Sequence, residues 1–255
     1  MRKIRVLVVE DSLVFRNLLV QGLNQDRALE VVATASDPFE ARDKIIEYRP
    51  DVMTLDIELP RMSGLEFLRK LMPQYPLPVV IISALSEKVF DAMKAGAVDF
   101  VAKPQVTERE QLRNFLCSEL PVKIKVASTA RVSRYKKPVA FAADQHLSVR
   151  SDIDIIAIGA STGGTEAIAE VIRDFSTDIP GTVIVQHMPP GFTEMYANRL
   201  DSQSRVKVKE AKNGDMVAPG QVLIAPGGSE HMSIVKVGDN YKVVLKKGEK
   251  VNGHC

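Results

Sequence analysis

Along the first 104 residues, short apolar runs alternate with stretches in which apolar side chains recur every three or four positions. IRVLVVE (4–10), LEVVATAS (29–36), DVMTLDI (51–57), PVVIISA (78–84) and FVAKP (100–104) predict strands. Between them, VFRNLLVQGLNQ, PFEARDKIIEY, GLEFLRKLM and EKVFDAMKAG carry the helical spacing. Pro38 falls near the start of one helix, where its missing N–H costs least. Five successive β–α units predict an α/β fold, a doubly wound parallel sheet with helices on both faces.

After residue 150 the rhythm resumes and then changes. DIIAIGASTGGTEAIAEVIRDF predicts strand, turn and helix, and GTVIVQHMPPGF a second strand that ends near His187. VKVKEA, QVLIAP, HMSIVKV and YKVVLKK are shorter and alternating, which predicts antiparallel pairs and hairpins, with a turn at VGDNY. The intervening segment, residues 121–150, mixes Pro, Ser, Lys and Arg without periodicity. It holds 7 basic residues against 1 acidic, whereas residues 1–120 hold 16 against 18 and residues 151–255 hold 11 against 13. The net charge of +2 therefore resides in this one stretch, which reads as a basic linker. A nucleic-acid-binding arm is the alternative, but no recognisable binding fold accompanies the charge. Three regions result: 1–120, 121–150 and 151–255.

Composition narrows the class. A chain of 255 residues with 45% hydrophobic and 26% charged residues fits two globular domains. Two cysteines, Cys117 and Cys255, form no disulfide framework, and no apolar run approaches the roughly 18 residues of a membrane span. The basic start MRKIRVLVVED has too short an apolar part for a signal peptide, and a cytoplasmic location is expected.

The polar residues of the first region fall at one end of its predicted strands. Glu10 and Asp11 end the first strand, Asp56 the third and Ser83 the fourth, and Lys103 follows the fifth. In an open parallel sheet these ends share one edge, where ligands bind. Three converging carboxylates need a cation between them, and hard oxygen donors suit Mg2+. Lys103 is placed to neutralise a phosphoryl group and Ser83 to hydrogen-bond it. Solvated loop acids are the bland alternative for any one position, but not for four successive strand ends. The arrangement resembles the flavodoxin-like receiver domain of response regulators. That resemblance implies that Asp56 accepts the phosphoryl group, that Glu10, Asp11 and Asp56 bind Mg2+, and that Ser83, Lys103 and the switch aromatic Phe100 sense phosphorylation. It also implies a cis bond between Lys103 and Pro104.

In the second half, Gly159, Ser161 and Gly163 fit G-x-S-x-G within strand, turn and helix. The glycines expose the hydroxyl, and the helix N-terminus offers N–H groups to an oxyanion or to a phosphate. A Walker loop is excluded because Thr165 and Glu166 follow Gly164. A dinucleotide fold wants an acid at the end of the next strand, where Gln186 and His187 stand instead. If the two strands are neighbours, their ends lie roughly 5 Å apart, within reach of a serine–histidine pair. A packing role is the plain alternative for His187.

IGASTGGTEAI, VIVQHMPPGFT, GQVLIAPGGSEHM and VNGH resemble the CheB-type chemotaxis-specific protein-glutamate methylesterases. The resemblance implies a Rossmann-like catalytic domain with Ser161 as nucleophile, His187 as its base and Thr162 as an oxyanion donor, and no cofactor for hydrolysis. It implies methanol release from glutamate methyl esters of methyl-accepting chemotaxis receptors, glutamine deamidation, and phosphorylation by a chemotaxis histidine kinase. Neither nucleic acid nor membrane embedding is expected. The family's third triad member is an aspartate in a GMG-x-DG segment beyond VNGH, and the given sequence stops at Cys255. The expectation is an incomplete catalytic domain, weak activity in these 255 residues alone, and apolar sheet surface left uncovered. A phosphorylation-dependent binding module is the rival reading.

Overall fold

A computed structural model describes residues 2–84, 86–105, 107–132 and 153–249, and the chain divides into one compact unit within residues 1–136 and another within 137–255. In the first unit, β1 (Ile4–Val9), β2 (Leu29–Ala35), β3 (Val52–Asp56), β4 (Val79–Ser83) and β5 (Asp99–Ala102) form a parallel sheet in the order β2-β1-β3-β4-β5. Helices α1 (Leu13–Leu23), α2 (Pro38–Tyr48), α3 (Gly64–Gln74) and α4 (Lys88–Lys94) connect the strands. Their starts carry the expected caps: Ser12, Asp37 and Ser63 each accept a hydrogen bond from the first helical turn.

After β5 the chain runs through α5 (Arg109–Asn114), a π-helical turn at Phe115–Glu119, and α6 (Leu120–Ala127). Phe15, Leu19 and Leu23 of α1 join Phe115, Leu120 and Ile124 over Val6, Val8, Val80 and Ile82 of the sheet. The alternate strand residues Leu7, Met53, Leu55 and Ile81 are equally buried, so both faces are covered. This corrects the linker boundary. PVKIKVA is not the start of a linker, because Leu120, Ile124 and Ala127 are fully buried at helical spacing while Lys125 lies beside Asp26. Residues 133–150, the remainder of that expected linker, lie outside the described residues, as does VNGH. The Lys103–Pro104 bond, expected cis, is trans, since there is no cis bond among the described residues.

In the second unit, β6 (Ile155–Ala160), α7 (Gly164–Arg173), β7 (Gly181–Gln186) and α8 (Phe192–Gln203) precede β8 (Lys207–Glu210), β9 (Met216–Val217) and β10 (Gln221–Ile224). The sheet runs β6-β7-β10-β8, all parallel. VKVKEA and QVLIAP, expected in antiparallel pairs, are β8 and β10 of this sheet. Val222, Leu223 and Ile224 are all buried, as a strand covered on two faces requires. The antiparallel expectation holds for β11 (Glu230–Val237) and β12 (Asn240–Lys247), joined at Gly238–Asp239 and extended by β9. Val183 and Leu223 of the parallel sheet meet Val243 of β12, with Met232, Ile234 and Leu245 around them.

Candidate functional site

Strand register builds the first site. Val9 of β1 faces Leu55 of β3, so Glu10 and Asp56 emerge side by side. Asp56 pairs with Ile82, Ser83 pairs with Ala102, and the Lys103 N–H donates to the Ser83 carbonyl at 2.7 Å. The structure thus brings Glu10, Asp11, Asp56, Ser83 and Lys103 to one sheet edge. Lys103 Nζ reaches Glu10 at 2.8 Å and Asp56 Oδ2 at 2.5 Å, and lies 4.7 Å from the centre of the Phe15 ring. Backbone N–H groups complete the carboxylates: Ser12 donates to Glu10 at 3.1 Å and Glu58 to Asp56 at 2.9 Å. Glu10, Asp56 and Ser83 are buried and Asp11 is exposed. Phe100 is also buried, edge-on against Phe90 with ring centres 6.1 Å apart.

Burial and the neighbouring Asp56 charge push Glu10 up to about 7, against the downward pull of Lys103 and the Ser12 amide. Burial opposes the Lys103 ammonium, but Asp56 and Glu10 outweigh it and hold its pKa above the ordinary value. One carboxylate oxygen each from Glu10, Asp11 and Asp56 lies within 4.8 Å of the others. This clustered set of hard donors fits a small divalent cation such as Mg2+.

The second site uses backbone rather than charge. Ala160, at the end of β6, pairs with Gln186, at the end of β7, so Ser161 and His187 follow on adjacent strands. The His187 N–H donates to the Ala160 carbonyl at 3.2 Å, and both Ser161 and His187 are exposed. Gly163 takes φ +76°, ψ −3°, and the Gly164 N–H closes the turn on the Ser161 carbonyl at 2.8 Å. Gly164 starts α7 against β7, where a Cβ would meet Gln186 Oε1 at 2.1 Å and Ala160 Cβ at 2.7 Å. The Tyr196 hydroxyl donates to the Thr165 carbonyl at 2.6 Å, anchoring the first turn of α7 to α8. Thr162, half-buried, sits on the same turn.

Asp201 pairs with Lys207 at 2.8 Å and Asp215 with Lys209 at 2.7 Å, while Asp239 lies in the hairpin turn. Sequence reasoning missed the Gln186 side chain, which donates to the Ser161 carbonyl at 2.9 Å. Its signal was its place immediately before His187, legible only once the register of β6 and β7 is known.

Comparison with known proteins agrees with both halves. Residues 6–116 match the response regulator receiver domain family and residues 156–255 the CheB methylesterase family. The protein-glutamate methylesterase/protein-glutamine glutaminase 2 of Syntrophomonas wolfei is 58% identical over 255 residues, covering 100% of this chain and 74% of the relative. The protein-glutamate methylesterase/protein-glutamine glutaminase of Syntrophotalea carbinolica is 50% identical over 264 residues, with 100% and 74% covered. Among solved structures, the response regulator domain of Thermotoga maritima CheB is 37% identical with a TM-score of 0.48, covering 51% of this chain and 99% of that one.

Proposed function

Since the chain belongs to the protein-glutamate methylesterase/protein-glutamine glutaminase family, we propose that it hydrolyses methyl esters on glutamates of chemotaxis receptors under the control of phosphorylation at Asp56. The observation that carries the reading is the register of β6 and β7, which sets Ser161 beside His187 at the open end of a parallel sheet. Ser161 Oγ bonds to the ester carbonyl carbon while His187 accepts its proton, and the oxyanion faces the Thr162 N–H. Methoxide leaves with the proton from His187 as methanol. Water then hydrolyses the acyl-serine, releasing the glutamate carboxyl and restoring Ser161. Attack on a glutamine amide by the same groups releases ammonia.

The receiver domain, extended here through α6 to residue 127, controls that chemistry. A histidine kinase of the chemotaxis system is the phosphodonor. Glu10, Asp11 and Asp56 would hold Mg2+, which when bound neutralises charge between the carboxylates and phosphoryl oxygens. Asp56 takes the phosphoryl group; Lys103 then leaves its carboxylate pairing for the new dianion, and Ser83 donates to it. No described helix is long and apolar enough to cross a membrane.

The test is methanol release from methylated receptor by the whole chain, beside its Ser161→Ala variant. Release that requires Ser161 is expected. Release surviving in Ser161→Ala overturns the serine assignment, and absence of serine-dependent release both from this chain and from a version extended through the family's aspartate segment makes the protein a phosphorylation-dependent binding module instead.

A further inference from the structure

We propose that Gln186 is a positioning residue for the ester hydrolysis: its side-chain amide fixes the peptide plane that aims the Thr162 N–H at the developing oxyanion. The inference rests on the assignment of Ser161 as nucleophile and goes beyond it. Gln186 ends β7 and is buried at 7% exposure, yet its side chain is not merely filling space. Nε2 donates to the Ser161 carbonyl at 2.9 Å and lies 3.4 Å from the His187 carbonyl. One amide therefore spans the backbones of the nucleophile and of its base, just past the ends of two adjacent strands.

The consequence for Thr162 follows from peptide geometry. The Ser161 carbonyl accepts a second bond, from the Gly164 N–H at 2.8 Å, so two donors hold it from the interior side. In a planar trans peptide, the N–H of the next residue points opposite to that carbonyl. Fixing the Ser161 C=O inward therefore fixes the Thr162 N–H outward, on the side where Ser161 is exposed. Without the Gln186 donor, the turn retains only the Gly164 bond, and the peptide plane can rock about it. An oxyanion donor acts by being in place before charge develops, so rocking lowers the rate rather than the affinity. Gly164 belongs to the same device, because any Cβ there would occupy the position of Gln186 Oε1.

The chemistry of the amide predicts which substitutions matter. Gln186→Glu keeps size and shape but, when ionised, sets an acceptor against two carbonyl oxygens. Gln186→Met keeps the volume and loses the donor. A space-filling role would tolerate both. The experiment measures covalent labelling of Ser161 in the whole chain by a fluorophosphonate ester, with saturation kinetics that separate the maximal rate from the half-saturating concentration. In that reaction Ser161 Oγ bonds to phosphorus, fluoride leaves, and the serine proton passes to His187. Gln186→Met is expected to slow the maximal rate about 10- to 100-fold with half-saturation unchanged, and Gln186→Glu to slow it at least as much. Gly164→Ala, which displaces the amide without altering it, should reproduce the defect, and Gly164→Ala with Gln186→Met should be no slower than the worse single variant. Thermal unfolding of each variant accompanies the kinetics. Wild-type labelling rates in folded Gln186→Met or Gln186→Glu, or a rate that falls only as the variant unfolds, overturns the proposal. Absence of labelling both in this chain and in a version extended through the family's aspartate segment, or labelling that persists in Ser161→Ala, instead overturns the nucleophile assignment itself.

Discussion

The two units place chemistry at the same structural location, the carboxyl edge of a parallel sheet, by opposite means. The first buries its groups and holds them by charge: Glu10 is 1% exposed, Asp56 is 4% exposed, and one ammonium bridges both. The second leaves Ser161 and His187 exposed and holds their backbones with neutral hydrogen bonds around a glycine turn. The contrast suits the reactions. A phosphoryl group is a dianion that must be met by fixed charge, and its arrival can reorganise an ion-paired cluster. An acyl transfer on a protein substrate needs an accessible nucleophile, with charge appearing only briefly and met by oriented N–H groups.

The sharpest way to break this comparison is to cross the two sites. Asp56→Asn should abolish phosphoryl incorporation from a small phosphodonor with Mg2+ and leave Ser161 labelling intact. Ser161→Ala should do the reverse, abolishing the serine-dependent part of esterase turnover. Mass spectrometry of each variant after each reagent reads both outcomes. Phosphoryl incorporation persisting in Asp56→Asn would end the assignment of the first site.

The first site was legible in the sequence because each of its residues stands at the end of a continuous apolar run, and strand ends in a parallel sheet must converge. The Ser161 turn was legible for the same reason, through its glycines. Three features were hidden. PVKIKVA looked like a linker because lysines mask Ile124 and Ala127, whose burial depends on a sheet formed far earlier in the chain. Strands β8 and β10, four residues each, are too short for periodicity to distinguish parallel from antiparallel pairing. Gln186 looked like an ordinary strand-end polar residue, because its role is a contact across 25 residues of sequence.

The next largest effect concerns the buried charge of the first unit away from its reactive edge. Lys123 of α6 pairs with Asp99 of β5 at 2.8 Å, with side-chain exposures of 9% and 8%, and Lys123 Nζ lies 5.7 Å from the Phe100 ring centre. Lys123→Met should cost about 3–5 kcal/mol in urea unfolding, because it removes the charge partner of a buried carboxylate that keeps neutral donors such as the Phe100 N–H at 2.8 Å, whereas Asp99→Leu with Lys123→Met should recover most of that loss. A loss below 1 kcal/mol for Lys123→Met would show that water or the neutral donors around Asp99 carry its charge without Lys123.

A smaller effect, opposite in sign between the units, is expected with pH in Mg2+-free buffer. The folded-state pKa of Glu10, about 7, lies above the ordinary glutamate value of 4.5, so the folded first unit binds the proton more tightly. Its contribution is full below pH 4.5 and is lost as pH rises to 7, by on the order of 3 kcal/mol. Glu10→Gln should flatten this slope. In the second unit Lys207 and the Val208 amide hold Asp201 below its ordinary value; burial opposes this at Asp215, but Lys209 and the Lys212 amide prevail. Stability from these two is present above the ordinary aspartate range and is lost as pH falls through their lowered values. Chemical unfolding followed separately in each unit between pH 3 and 8 checks both slopes.

The smallest effect tests how far the sheets themselves differ. Val8 of β1 is 0% exposed, inside a sheet covered on both faces. Val185 of β7 is 47% exposed and pairs with Gly159 of β6, itself exposed, so this corner of the second sheet carries no covering layer among the described residues. Val183, on the same face two residues earlier, is 7% exposed because β12 packs there. Val8→Ala should therefore cost about 2–3 kcal/mol, since it removes two methyl groups from a filled interior. Val185→Ala should cost no more than about 0.5 kcal/mol, since water already reaches the site. A Val185→Ala loss close to that of Val183→Ala would mean that in solution another surface of the protein covers this corner beside Ser161, and that the second site is less open than its exposed serine and histidine indicate.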